Sequence, residues 1–497
     1  MRLDCERLTG LRTAAYAALP ERFYAHIDPV PVGGPRLIAL NHALAAELQL
    51  DTGALSAAAL ANLFSGNALP CGVRPIAAAY AGHQFGQFVP QLGDGRAILL
   101  GDALDRDGRP RDVQLKGSGR TPYSRGGDGR AAVGPVLREY LVSEAMHALG
   151  VPTTRSLAAV ASGDTVYREG ALPGAVLTRV AASHVRVGTF QYFAARGDAE
   201  GLRSLADYAI ARHYPQIQAS DRPYLELLRA VCGAQAALIA RWMQVGFIHG
   251  VMNTDNMAVS GETIDYGPCA FMDAFDPAMV FSSIDRHGRY AFANQPHAAA
   301  WNLARFAETL LPLIDADTDR AVEAASAAIA DFSPQYAERL LQGMRAKLGL
   351  ASSEDDDAAL AESLLDVMHR NQADFTLTFR RLCDLAGAGP PIPGMQGVFA
   401  NPADFDPWSL RWRARLARER APPEQRANGM RAANPLYVPR NHRIEQVIVA
   451  AVERLDFGPF AELAGVLSRP FEEQAGFERY ADPPQANERV TQTFCGT

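Results

Sequence analysis

Five glycines and four cationic side chains crowd into the fifteen residues Lys116-Gly-Ser-Gly-Arg-Thr-Pro-Tyr-Ser-Arg-Gly-Gly-Asp-Gly-Arg130. Glycines let backbone N–H groups approach an anion closely, and Lys and Arg neutralise it, so the cluster reads as a phosphate cradle before it reads as a plain loop. Asp128 and Gly129 lie inside it. A weaker pair, Gly93 and Gly95 followed by Arg96, stands just ahead of a strand-like run. Arg179 and Arg186 add guanidinium groups suited to bidentate contact with phosphoryl oxygens, although spacing alone reads equally well as a surface pair. Further on, Asp255 is the only carboxylate in His249-Gly-Val-Met-Asn-Thr-Asp-Asn256. Asn256 and Asp265 are hard oxygen donors of the kind Mg²⁺ takes, with Mn²⁺ as an alternative.

These residues need elements to hold them. Ala97–Gly101 and Asp112–Lys116 read as a hairpin about the turn Asp105–Gly108, and Thr165–Arg168 with Ala175–Arg179 as a second about Gly170–Gly174. Between them a helix is expected from Pro135 to Leu149, stopped by Gly150 and Pro152. Period two sets Gln114 and Lys116 on one strand face, and Glu139 falls on the following helix. A strand Lys paired with a helix Glu is how kinases hold nucleotide phosphates, though most such pairs are merely solvated. A second helix opens near Asp221 and ends at Gly246, with Leu227, Val231, Leu238 and Trp242 on its apolar face. The loop after it keeps a kinase-like interval of seven between His249 and Asn256, and Asp265-Tyr266-Gly267 stands where kinases carry Asp-Phe-Gly. The usual base position, two after the His, is Val251, which cannot accept a proton. Beyond Trp301 helical periodicity dominates, punctuated by loops at Pro390–Gly394 and Ala421–Pro423, with Asp355–Asp357 expected as a solvated acidic loop. The expected fold is α+β: an N-terminal extension (1–75), a sheet-rich lobe (76–200) and a larger helical lobe (201–497) carrying the loop 246–267.

Composition sets limits on this reading. The chain has 497 residues, 48% apolar and 21% charged, which fits a globular protein and excludes disorder, collagen and coiled coil for the whole. Its net charge of −7 does not suit a protein that wraps nucleic acid. Six scattered cysteines without CxxC spacing argue against a disulfide scaffold or structural zinc. No secretory signal or membrane-spanning run is visible, so a soluble cytoplasmic protein without membrane partners is expected.

Taken together, Tyr80–Phe88, Gln91–Arg96, Lys116–Arg130, Leu137–Leu141, Thr178–Val180, His249–Asn256, Asp265–Cys269 and Asn434–His442 make the chain resemble the selenoprotein O family, also called the YdiU family of kinase-like proteins. The resemblance covers most of the chain. It implies a protein-kinase-like fold and transfer of AMP, not phosphate, from ATP to protein hydroxyls on Ser, Thr or Tyr, self-modification included, with the nucleotide flipped relative to ordinary kinases. It further implies that Lys116, Arg179 and Arg186 hold phosphates, with Glu139 positioning Lys116. Gly93, Gly95, Arg96, Asp128 and Gly129 would line the nucleotide, Asn256 and Asp265 would bind Mg²⁺, and Asp255 would be the general base. The alternatives are a kinase moving the γ-phosphate and an inactive nucleotide-binding scaffold. A reversible Cys269–Cys495 disulfide is a further expectation, Cys495 standing where eukaryotic members carry selenocysteine.

Overall fold

The structure, a computed structural model, describes residues 4–6, 8–387 and 395–494. Its frame is a nine-stranded antiparallel sheet. The main order is Tyr24–His26, Ile76–Ala78, Ala97–Leu104, Pro110–Lys116, Ala171–Ala181, Arg155–Tyr167 and Arg36–Leu40, with Leu11–Arg12 and Ala131–Ala132 pairing alongside. The two outermost strands of that order thus come from the first 75 residues.

Local chemistry explains the two hairpins. At the first, the Asp105 carboxylate accepts the backbone N–H groups of Asp107 (3.0 Å) and Arg109 (2.8 Å), which folds the turn before Pro110. The second hairpin is longer than its sequence signals: its turn lies at Arg168–Gly170, and Gly174 is a strand residue, not part of the turn. Arg179 accordingly sits inside the strand, which runs on to Ala181. The glycine-and-proline run Gly170–Gly174 hid the strand because pairing with Arg155–Tyr167 and Ala131–Ala132 supplies hydrogen bonds that local propensity cannot foretell.

Helix Val133–Ala148 lies as expected to within two residues, with Gly150 at φ +75° just beyond it. Helix Pro223–Val245 begins on its proline and ends at Gly246 in the left-handed region. One continuous core joins the sheet (Leu177), these two helices (Leu137, Leu238, Trp242), helix Gln295–Ile314 (Leu303) and helix Gly458–Leu467 (Phe460). The opposite face of the sheet is covered by helix Ala57–Ser65 through Leu60 and Phe64, packed with Val113 and Val160. Among the described residues no helix is long and apolar enough to cross a membrane.

One expectation needs correction. Asp357 is not in a solvated loop: it opens helix Asp357–Arg370, fully buried, because Arg345 (2.7 Å) and Arg415 (2.7 Å) neutralise it. Cys71 is disulfide-bonded, a single bridge and not the scaffold that the scattered spacing argues against. Phe88 is 41% exposed on the short hairpin Gly82–Gln84/Gln87–Val89. The Pro390–Gly394 loop lies outside the described residues.

Candidate active site

Strand register brings the first cations together. Gln114 pairs directly with Arg179, so both side chains share a face with Lys116 two residues on. The Arg179 guanidinium donates to Gln114 Oε1 at 2.7 Å. Helix Val133–Ala148 crosses this face and delivers Glu139, whose carboxylate meets Lys116 Nζ at 2.6 Å and Arg179 at 3.4 Å. The strand Lys and helix Glu are therefore paired, as their types suggested.

Asp265 closes the cluster from the loop side. Its Oδ1 accepts from Lys116 Nζ at 2.7 Å and Arg179 Nη1 at 2.6 Å, and its Oδ2 lies 3.7 Å from Arg186. Burial opposes ionisation of this carboxyl, but the three cations outweigh it and hold it well below the usual range. Asp265 has φ +64°, an uncommon backbone state for a non-glycine residue and a form of strain that clusters at functional sites. The state is held by the residues around it. His249 Nε2–H donates to the Ile264 carbonyl at 2.9 Å while its Nδ1 accepts from Val251 N–H at 3.3 Å, and its ring stacks on Trp242. Burial lowers the His249 pKa, which keeps the ring in the neutral form this bridge requires.

Asp255 lies in the 3₁₀ turn Thr254–Asn256. Its Oδ2 accepts from Gln84 Nε2 at 3.1 Å, while its Oδ1 is buried without a hydrogen-bond partner. Burial lifts its pKa to about 6, against the lowering effect of Gln84 and Arg186. The Asn256 amide nitrogen donates to the Val251 carbonyl at 2.9 Å, which leaves its oxygen as the side-chain acceptor.

The two glycine segments are zipped to each other. Thr121 Oγ1 donates to the Asp94 carbonyl at 2.7 Å and Ser124 Oγ to that of Gly95. A Cβ on Gly93 would fall 2.4 Å from the Tyr123 ring, and one on Gly129 2.1 Å from the Gly119 carbonyl, so both positions require glycine. The Asp128 carboxylate clasps Arg168 through two hydrogen bonds, at 2.9 and 3.1 Å.

Gly93, Gly95, Arg96, Lys116, Asp128, Gly129, Glu139, Arg179, Arg186, Asp255, Asn256 and Asp265 all line one cleft of about 450 Å³. Seven cations (Arg96, Lys116, Arg125, Arg130, Arg168, Arg179, Arg186) face five carboxylates there (Asp94, Asp128, Glu139, Asp255, Asp265). The excess is positive although the whole chain is acidic, as an anionic ligand needs. Arg168 and Tyr80, whose ring carries the Arg186 guanidinium at 4.5 Å, are functional candidates that sequence reasoning missed. So is Gln84. Each acts through a partner distant in sequence, so no local spacing marks them.

Among the described residues no group of three His, Cys, Asp or Glu side chains could cage a metal. Asn256 and Asp265 instead offer two hard oxygens, and Asp265 Oδ2 accepts no hydrogen bond among the described residues. That donor set fits Mg²⁺, which takes one or two protein oxygens and completes its shell with phosphates and water. Cys269 is buried, its Sγ–H donating to the Tyr266 carbonyl at 3.5 Å, and the expected partner Cys495 lies outside the described residues.

Glycine loops, a paired Lys and Glu and converging guanidinium groups define an enzyme class that handles nucleotide phosphates. The chain belongs to the SelO family: the family model described as protein adenylyltransferase SelO matches residues 7–468. It is 61% identical over 483 residues to a protein nucleotidyltransferase YdiU of Bradyrhizobium sp. (strain BTAi1), covering 97% of this chain and 98% of that one. A protein of the same name from Rhizobium rhizogenes is 62% identical, with 97% and 96% covered, and one from Rhizobium meliloti 60% identical, with 97% and 98% covered. ATP is the substrate of this family of nucleotidyltransferases.

Proposed function

We propose that the chain transfers AMP from ATP to Ser, Thr or Tyr hydroxyls of proteins, itself among them, with Mg²⁺ at Asn256 and Asp265. The convergence of Lys116, Arg179 and Arg186 on one carboxylate, beside Asp255 and Asn256 in the same cleft, is the observation that carries this reading. In adenylyl transfer a hydroxyl attacks the α-phosphorus and pyrophosphate leaves. Lys116, Arg179 and Arg186 stabilise the charge that collects on the leaving group, with Glu139 holding Lys116 and Arg179 in place. Gly93, Gly95, Arg96, Asp128 and Gly129 form the wall that receives the nucleotide, Asp128 by fixing Arg168. Asp255 accepts the proton of the attacking hydroxyl, a role expected to contribute about 10²–10⁴-fold. Bound Mg²⁺ would supply further charge stabilisation on the phosphates.

The architecture is read as kinase-like, with residues 76–200 as the smaller lobe, braced by strands from 1–75, and 201–497 as the larger. Val251 in the usual base position favours a nucleotide turned so that its α-phosphate, not its γ-phosphate, meets the acceptor. The site of action is read as the cytoplasm, where ATP and Mg²⁺ are at hand. The test is parallel incubation with ATP labelled at the α- or the γ-position. Incorporation from the α-position alone, lost in Asp255→Ala without a change in unfolding temperature, is expected. Incorporation from the γ-position alone would make the enzyme a kinase, and full turnover in Asp255→Ala would remove that residue from its role.

A further inference from the structure

The hairpin Gly82–Gln84/Gln87–Val89 meets the loop of Asp255 residue by residue. His83 N–H donates to Thr254 Oγ1 at 2.7 Å, Gln84 Nε2 to Asp255 Oδ2 at 3.1 Å, and Phe85 N–H to Asn253 Oδ1 at 2.9 Å. Three consecutive hairpin residues thus engage three consecutive loop residues. The outer two contacts use hairpin backbone, so they survive any side-chain change on the hairpin. Only the middle contact is made by a hairpin side chain, and it is the one that reaches the carboxylate.

The loop is locked further from behind. Thr254 Oγ1 donates to Gln191 Oε1 at 2.6 Å, Gln191 Nε2 binds His83 Nδ1 at 2.8 Å, and Tyr290 donates to Asn253 Oδ1 at 2.8 Å. Gly82 lets the hairpin pack directly on Asp255: a Cβ there would lie 2.8 Å from Asp255 Oδ1, the buried oxygen without a partner. One carboxylate oxygen is therefore held and the other left unbonded, beside Gly82.

We infer that Gln84 is the positioning residue for Asp255: by holding Oδ2 it fixes the orientation in which the carboxylate lines the cleft and meets the acceptor hydroxyl. This rests on the reading of Asp255 as the base. A carboxylate without such an anchor samples several rotamers, and a misplacement of about 1 Å can cost about 10²-fold in rate.

The test compares Gln84→Met, which keeps side-chain length and removes the donor, with Asp255→Asn and the double variant. Total α-label from ATP is measured in the enzyme and in dephosphorylated casein, and nucleotide binding with α,β-methylene ATP. Gln84→Met is expected to lower kcat about 10–100-fold. Its unfolding temperature, casein KM and α,β-methylene ATP affinity should stay within about twofold or a degree or two of wild type, because the two backbone contacts keep the hairpin docked. In the Asp255→Asn background Gln84→Met should add no further loss. Wild-type kcat in Gln84→Met with Asp255→Asn dead would show that Gln84 only fills space. Losses that multiply in the double variant would show that it acts independently of Asp255. Wild-type turnover in Asp255→Asn would overturn the reading of the base itself, and this inference with it.

Discussion

Asp265 is the shared counter-charge of three cations. Its carboxylate neutralises Lys116, Arg179 and Arg186, groups that would otherwise sit close together, Arg179 and Arg186 being deeply buried. Under the proposed function, in which these cations hold the phosphates of ATP, the phosphates would compete with Asp265 for them unless a metal ion engages the carboxylate. Asp265→Asn should therefore bind α,β-methylene ATP more tightly than wild type when divalent cations are chelated, by about tenfold, corresponding to about 1.4 kcal/mol. The same variant should lose AMP transfer when Mg²⁺ is restored. Calorimetric titration with and without chelator checks this, and weaker metal-free binding in the variant would mean that Asp265 organises the cations more than it occupies them.

Among the elements, helix Phe332–Leu348 carries an anomaly away from the site. Lys347 is 3% exposed, its Nζ set 4.1 Å from the centre of the Phe379 ring and 5.6 Å from that of Phe375. Burial lowers its pKa to about 7. The unfolded chain, with an ordinary lysine, then binds more protons between about pH 7 and pH 10.5. Stability contributed by this position rises with pH through that window and is lowest at and below pH 7. Lys347→Met should accordingly stabilise the protein at pH 7, by up to about 4 kcal/mol, with the gap closing as pH approaches 10. Urea denaturation at pH 7 and pH 9.5 measures it; an equal gap at both would place the gain in packing alone.

For the whole molecule, the C-terminal motif Asn434–His442 ties the segment after Asp265 to the distal helices. Arg440, 1% exposed, binds Asp273 at 2.6 Å, Asp374 at 2.7 Å and the Ala481 carbonyl at 3.0 Å. Asn441 donates to the Phe271 carbonyl at 3.0 Å. Removing one partner of a buried ion pair leaves uncompensated charge, so Arg440→Met should cost about 3–5 kcal/mol. The loss should appear as a lower denaturation midpoint. An unchanged midpoint would mean that water compensates Asp273 and Asp374. The clamp lies beyond the cleft, so its effect on transfer should follow stability and vanish when assayed well below the unfolding temperature.

How much of this was legible beforehand differs by residue. Lys116, Asp255, Asn256 and Asp265 stood out by residue type and short spacing, and the structure brings all four to one cleft. The first hairpin and the helices Val133–Ala148 and Pro223–Val245 were legible because periodicity and end signals are local. Gln84, Tyr80 and Arg168 were not, since each acts on a partner such as Asp255, Arg186 or Asp128 that only folding brings near. The buried Asp357 was misread for the same reason: a run of acids looks solvated until two arginines from other helices reach it. Sequence by itself determined the inventory of reactive groups and the elements that carry them, because those follow from side-chain chemistry and neighbouring residues. Tertiary structure alone decided which carboxylate each cation holds and which oxygen of Asp255 is left unbonded, because such pairings depend on distances between segments that the chain order does not encode.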